Sequence, residues 1–505
     1  MKKIGFMFGA GAEISYGLPT GGDFALNIFR QDSLESKERF KSQRAAINLT
    51  NSYAQWLPDD FENKNISVFR KKAFEDIIRS TVEQNRDRII KRLNALDSIA
   101  TSLVSEMKSD GIDINSDFEE INNRPVADCF MNRKITFVQE FKEGDDLFRS
   151  NYFSALLMAY KNFKKSSVKE ANELGRIVIS ILQLQIGALG EKLTHRLNEG
   201  IFNRKDDELD ILDDLGDIIQ LDYQSVGTSG LEYLLDIQEP DQSNVERRVL
   251  KFAQKLIEKI YACVLDYKSL IDSNWMYLYH PNTEWSKFCK ISIFLLNVQK
   301  YINEIFSNLP SGKDGYYDDV YKSVEANKME ICATATSNYS PLISNILKGE
   351  AIIYLNGSTT LWYDPYLNRI GTENQLTKLN HFIVPLMFTQ SGTKPMISID
   401  MSSRYVEYYN ALAKADEICV IGFGFNSDDE HINGIFRDLV DCKNKSITVV
   451  TVGDDKSNES EMKKTIARKL KLHDDSNISV ILVDDERKQN GVLWIDYLLG
   501  SAESE

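Results

Sequence analysis

Four short stretches carry residue types suited to chemistry on a nucleotide. The first is Gly9-Ala10-Gly11-Ala12-Glu13, which follows the apolar residues 4–8 and is itself followed by Gly17-Leu18-Pro19. An apolar run that breaks into Gly-Ala-Gly reads as a buried parallel strand ending in a tight turn, where a phosphate can approach the backbone and meet N–H groups at a helix start. The others are Thr336-Ser337-Asn338, Asn356-Gly357-Ser358 and Gly422-Phe423-Gly424 with Ser427, each placed after an apolar run of its own. Their asparagines offer amides that donate and accept hydrogen bonds but cannot take up a proton near neutral pH. The glycine turn by itself fits a plain strand-to-helix turn equally well, because the third glycine of the dinucleotide fingerprint is displaced to Gly17.

The elements that must hold these stretches follow from periodicity. Apolar segments at Met329–Thr336, 351–355, Glu417–Ile421, 446–452 and Ile478–Val483 each end in polar or glycine-containing turns, including Gly453-Asp454-Asp455 and Asp484-Asp485. Helical patterns follow several of them, at 342–347 and through His431, Ile435 and Leu439. Strands alternating with helices predict an open parallel sheet, an α/β Rossmann-like fold whose ligands bind beyond the C-terminal strand ends. The first strand lies about 300 residues from its partners, so the predicted domain is discontinuous, residues 1–30 plus 326–505. Residues 24–29 read as the helix packing back on that strand.

Residues 31–325 read as a large all-α insertion domain for assembly, partner binding or regulation. Val249, Phe252, Leu256, Ile260, Val264 and Tyr267 recur at helical steps, as do Leu174, Val178, Ile181, Gln185 and Leu189, which predicts core stripes. Loops are expected at Ser109-Asp110-Gly111 and Arg204-Lys205-Asp206-Asp207-Glu208, and at Pro240-Asp241 before a long helix starting near Val245. The aromatic patch at 275–281 ends in His280-Pro281, with His280 a reserve catalytic candidate.

Composition narrows the partners. The chain has 505 residues, 42% hydrophobic and 27% charged, as expected of a globular protein with room for two or three domains. A formal charge of −15 with no evident basic patch argues against direct nucleic-acid and anionic-membrane binding. Six cysteines (Cys129, Cys263, Cys289, Cys332, Cys419, Cys442) form no CxxC pair and read as core thiols of a cytoplasmic protein, and the five histidines show no metal-site spacing. Lys2-Lys3, the short apolar run and Ala10-Gly11-Ala12 also outline a secretory signal, a reading weakened by Gly5, Gly9 and Gly11. No run of 18 apolar residues is present to span a membrane.

Taken together, the four stretches resemble the sirtuin (Sir2) family, which shows a Gly-Ala-Gly turn with Gly-Ile-Pro beyond it, then Thr-Gln-Asn, His-Gly, and a Gly-Ser/Thr-Ser turn. Gly9 and Gly17-Leu18-Pro19 reproduce the first spacing, and the 18-residue step from Asn338 to Asn356 matches the family's Asn-to-His interval. The texture is similar to the Sir2-like group of bacterial anti-phage defence proteins, which hydrolyse NAD to nicotinamide and ADP-ribose and arrest the infected cell by depletion. The resemblance covers about residues 1–30 and 326–495. It implies NAD as substrate without a metal, a homo-oligomer or hetero-complex, and an activating partner such as a HerA-type ATPase, a short Argonaute, a nucleotide-pyrophosphatase-like protein or a phage protein.

Carried over residue by residue, the resemblance implies that backbone N–H groups of Gly9, Ala10, Gly11, Ala12 and Glu13 hold the pyrophosphate, with Pro19 closing that motif. Asn338 would orient the attacking water or the ribose hydroxyls beside Thr336, and Asn356, followed by Gly357 and Ser358, would bond the same ribose. Gly422, Phe423, Gly424 and Ser427 would take the adenosine side. Two departures stand out. The zinc ribbon of deacylating sirtuins is absent, and the position of the catalytic histidine is Asn356. Loss of a general base costs about 10²- to 10⁴-fold, although cleavage through an oxocarbenium-like state leaves much to positioning and charge stabilisation. His431 is a substitute base or, at a helix start, a structural residue. The alternatives to a hydrolase are a catalytically weak NAD- or ADP-ribose-binding regulatory subunit, or an α/β domain of unrelated nucleotide chemistry on a helical scaffold.

Overall fold

A computed structural model describes the chain except residues 20, 70–81, 83–85, 130–145, 190–227, 237–241, 263–266, 311, 389–397, 454–457 and 501–505. His195, Cys263 and Val264, the expected loops at 204–208 and at Pro240-Asp241, and Asp454-Asp455 lie outside the described residues, as do the side chains of Leu189 and Tyr267. The chain divides into two compact units. One comprises residues 1–20, 31–68 and 268–505, the other residues 21–30 and 69–267.

The first unit is built on six parallel strands: β1 (Lys2–Phe8), β2 (Met329–Thr336), β3 (Ile352–Tyr354), β7 (Glu417–Ile421), β8 (Ile447–Val452) and β9 (Ile478–Val483). Between β3 and β7 the chain adds β4 (Gly357–Asp364), β5 (Arg369–Gly371) and β6 (Val384–Met387). The parallel sheet runs β3-β2-β1-β7-β8-β9. Counted along the chain this is third, second, first, fourth, fifth, sixth, the strand order of a Rossmann-like α/β fold, with its topological switch point between β1 and β7. Both faces of the central strands are covered, so β1 is buried from Ile4 to Phe8 and β7 from Ile418 to Ile421, and this two-sided burial produces continuous apolar runs instead of alternation.

The strands β5-β4-β6 form a separate antiparallel sheet. Nothing in the strand–helix alternation predicts it, because Gly357-Ser358 looks like a turn ending a strand. Instead Gly357, at φ +82°, starts β4, and a methyl there would lie 1.9 Å from the Leu386 carbonyl oxygen of β6. This sheet accounts for a difference at the unit boundaries. The helix Trp285–Ser307 packs on β6 and β4, Phe40 stacks on Phe382 at 4.5 Å, and Trp285 and Phe288 join the same aromatic group. Residues 31–68 and 268–325 therefore cluster with the sheets and not with the helical unit.

The second unit is helical. In Val245–Tyr261 the residues Val249, Phe252, Leu256 and Ile260 are fully buried, and so are Leu174, Val178 and Ile181 of Val168–Leu189. Asp117, 6% exposed, accepts both Nε and Nη2 of Arg248 at 2.8 and 2.6 Å. The helix Gly21–Arg30, expected beside the first strand, belongs to this unit, where Arg30 bonds the Leu234 carbonyl and pairs with Glu258 at 2.7 Å. Among the described residues no helix is long and apolar enough to cross a membrane.

Candidate functional site

The glycine turn and the Gly422 turn meet at the switch point. Gly9 donates its N–H to the Ile421 carbonyl and Gly11 to the Gly422 carbonyl, both at 2.9 Å. A methyl on Gly9 would lie 2.5 Å from the Gly422 oxygen and 2.6 Å from Phe423 Cα, and one on Gly422, at φ +64°, would lie 2.2 Å from the Ala12 nitrogen. The glycines are thus required by close packing of two turns. Gly424 is exposed, its carbonyl accepts from Lys469 Nζ at 2.7 Å, and a methyl there would meet the Asn426 side chain at 3.3 Å or more.

This packing revises the expected phosphate cradle. Ala12 and Glu13 donate their N–H groups to the Gly9 and Ala10 carbonyls at 3.0 and 3.1 Å, so four of the five amides of residues 9–13 already have protein acceptors. The helix that follows, Gly11–Ile14, has four residues, too few to sum a full macrodipole. Ala10 is the exposed tip of the turn. An anion would approach there.

From β2 the chain enters the same corner. Thr336, fully buried, donates Oγ–H to the Phe8 carbonyl at 3.1 Å and accepts the Asn338 N–H at 3.0 Å. Asn338 Nδ2 donates to the Gly9 carbonyl at 3.0 Å and to the Tyr317 hydroxyl at 3.3 Å. Because a carbonyl can only accept, these partners fix the amide orientation, and Oδ1 remains as its acceptor. Asn338 is 8% exposed.

The end of β3 is laced to this segment. Leu355 N–H meets the Thr336 carbonyl at 2.9 Å, Asn356 Nδ2 the Ser337 carbonyl at 3.4 Å, and Thr359 N–H the Tyr339 carbonyl at 2.9 Å. Asn356 is 2% exposed, and its Oδ1 is buried without a hydrogen-bond partner among the described residues. A buried acceptor left unmade costs about 1–3 kcal/mol, which a ligand hydroxyl could recover. Ser358 Oγ, also buried, pairs with Thr360.

The structure therefore joins Gly9 to Glu13, Thr336, Asn338, Asn356 and Gly422-Phe423 through direct contacts. Ser427 is exposed and bonds only its neighbour Asp428 in the hydrogen bonds described, while Pro19 is half-buried beyond the corner. His431, second residue of the helix Glu430–Asp441, lies 5.8 Å from the Tyr405 ring. His280 caps the 3₁₀ turn Trp275–Tyr279, away from these contacts. Cys442 is exposed, whereas Cys129, Cys289 and Cys419 are core thiols.

Sequence reasoning assigned Glu13 only a backbone role. Its side chain is 6% exposed, and Oε1 accepts Tyr317 O–H at 3.0 Å and Ser340 O–H at 2.7 Å. Burial pushes this carboxyl up to about 7, against the lowering effect of the bonds from Ser340 and Tyr317 and of the Asn338 amide close by. A glutamate placed two residues after Gly-Ala-Gly, in a buried turn, was the available signal. Tyr317 gave none, being one of many aromatics in helical sequence.

A separate cleft of about 370 Å³ is lined by residues that include Glu35, Arg39, Gln299 and Lys300 and by none of those selected above. Its cations are already paired, Lys300 with Glu35 at 2.7 Å and Arg39 with Glu373. The strand-end corner has the stronger chemistry. Among the described residues no cluster of histidine, cysteine and carboxylate side chains is gathered as for a metal. No family model matches this chain, and neither a curated protein nor a solved structure is significantly similar to it.

Proposed function

We propose that this protein is a Sir2-like NAD hydrolase that cleaves NAD to nicotinamide and ADP-ribose in anti-phage abortive infection, switched on by a partner or by assembly, with its helical unit as the inserted control surface. The observation that carries this reading is the convergence of two buried asparagine amides beside a glycine turn at the switch point, one presenting Oδ1 as its remaining acceptor and the other an unbonded Oδ1. Two amide acceptors on adjoining segments suit a diol such as a ribose, or a diol and a water. The pyrophosphate lies over the exposed Ala10 tip instead of in a row of free amides, and the adenosine side falls towards Gly422-Phe423.

In this reading Asn338 Oδ1 accepts from the ribose or from the attacking water, and Asn356 holds the ribose. Neither group removes a proton, so turnover depends on nicotinamide leaving as the oxocarbenium develops. That same absence favours a second reading, a catalytically weak NAD- or ADP-ribose-binding subunit of a defence complex.

Nicotinamide release from NAD, measured with the chain alone and with its operon partners, separates the two. Release in any condition, lost in Asn338→Ala, supports the hydrolase. Release only after Asn356→His supports the binding subunit. Full activity in Asn338→Ala refutes the site, and no NAD-induced rise in melting temperature refutes both readings.

A further inference from the structure

A buried carboxyl is expensive and persists only with defined partners. Glu13 has them, and they lead in one direction. Tyr317 and Ser340 both donate to its Oε1, the Tyr317 oxygen accepts one N–H of Asn338, and the other N–H of Asn338 goes to the Gly9 carbonyl. Glu13, Tyr317, Asn338 and Gly9 therefore form a continuous relay that ends on the glycine turn.

We propose that Glu13 is the positioning residue of the site: by holding the Tyr317 hydroxyl as a donor to itself, it leaves the Tyr317 oxygen to accept from Asn338 and so presents Asn338 Oδ1 outward. Its consequence for a substrate rests on the NAD reading above, while its hydrogen-bond consequence stands without it. The ionised carboxylate can only accept, which forces this arrangement. A protonated carboxyl carries a donor of its own, which competes with Asn338 for the Tyr317 oxygen.

Burial places this change near neutrality. The titratable groups facing Glu13 are Tyr317 and Tyr354, with Tyr16 stacked on Tyr317 at 5.4 Å and Asp318 accepting from Tyr16 at 2.8 Å and from the Gly315 N–H at 2.9 Å. Burial raises all three phenols, so they stay neutral over the same range. Asp318 is taken up by its own donors.

The test uses the full chain, labelled with ¹⁵N in asparagine side chains, with the Asn338 amide signal assigned by its loss in Asn338→Asp. Between pH 5.5 and 8.5 that signal shifts with one midpoint near 7 in the wild type and is flat in Glu13→Gln. Tyr317→Phe, which keeps Glu13 and the core ring, also abolishes the shift and serves as the second variant should Glu13→Gln not fold. A pH-independent Asn338 signal in the wild type, or an unchanged midpoint in either variant, overturns the proposal.

Calorimetric titration with NAD forms the second arm. If only the ionised form binds, affinity rises about tenfold from pH 6 to pH 8 in the wild type and loses that slope in Glu13→Gln. A retained slope in Glu13→Gln overturns the positioning role. An Asn338 signal that titrates as stated, in a chain that binds no NAD at any pH, leaves the relay standing and removes the NAD reading alone.

Discussion

Glu13 shows how one side chain can hold a site in place at a cost to the fold. Its carboxyl is raised from the ordinary 4.5 to about 7 by burial, so folding favours its protonated form. The contribution to stability is full below about pH 4.5 and is lost as pH rises through 7, by about 3 kcal/mol in all. Urea unfolding of wild type and Glu13→Gln across pH 4.5 to 8 is expected to show the variant gaining on the wild type by about that amount, levelling off above 8. Parallel curves would place the carboxyl's ionisation elsewhere. Gly422 carries a different constraint: with φ at +64° and a methyl 2.2 Å from the Ala12 nitrogen, Gly422→Ala is expected to destabilise on the order of 3 kcal/mol. Gly424→Ala, whose methyl would meet the Asn426 side chain at 3.3 Å or more, should shift the urea midpoint little.

At the scale of elements, the helix Tyr316–Glu325 supports the site because it carries Tyr317 under the glycine turn, edge-on to Phe8 at 4.9 Å. It is clamped by Asp319, which is 5% exposed and accepts from Arg487 Nε at 2.7 Å, Arg487 Nη2 at 3.1 Å and Trp494 Nε1 at 2.8 Å. Removing one partner of such a buried pair strands the other charge, so Asp319→Ala is expected to cost about 3–5 kcal/mol. Lys322→Ala breaks only the exposed pair with Asp314 and is expected to cost less than about 1 kcal/mol. Chemical denaturation of both variants decides this. Equal losses would mean that the helix is held by its apolar face, not by the clamp.

At the scale of the whole molecule, all five tryptophans (Trp56, Trp275, Trp285, Trp362, Trp494) fall in the unit that holds the sheets, whereas helical structure is shared by both units. Tryptophan fluorescence therefore reports on the sheet-bearing unit, and far-ultraviolet circular dichroism on both. On the proposed NAD reading, NAD is expected to raise the fluorescence melting temperature by a few degrees, because a ligand that binds only the native state stabilises it. The dichroism melt should show an additional phase that NAD leaves in place. A single transition, shifted equally by both probes, would mean that the units unfold as one.

The parallel strands were legible in the sequence because two-sided burial writes itself as continuous apolar runs: residues 329–336, 417–421 and 478–483 have the same bounds in the structure. The corner residues were legible for a related reason, since strand ends are where glycine and asparagine interrupt those runs. The antiparallel strands 357–364, 369–371 and 384–387 were not, because Gly357 marks a turn and a strand start with the same letter. Unit boundaries escaped as well. Whether an amphipathic helix such as Trp285–Ser307 covers a sheet or another helix depends on what its apolar face meets, and periodicity does not encode the partner. The amino-acid sequence by itself determined the fold class, the discontinuity and the two asparagines. Only the tertiary structure decided that four of the turn's five amides are already bonded and that Glu13 reaches Asn338 through Tyr317, because the hydrogen bonds that decide this join residues up to about 410 positions apart and exist only once the sheet has brought them together.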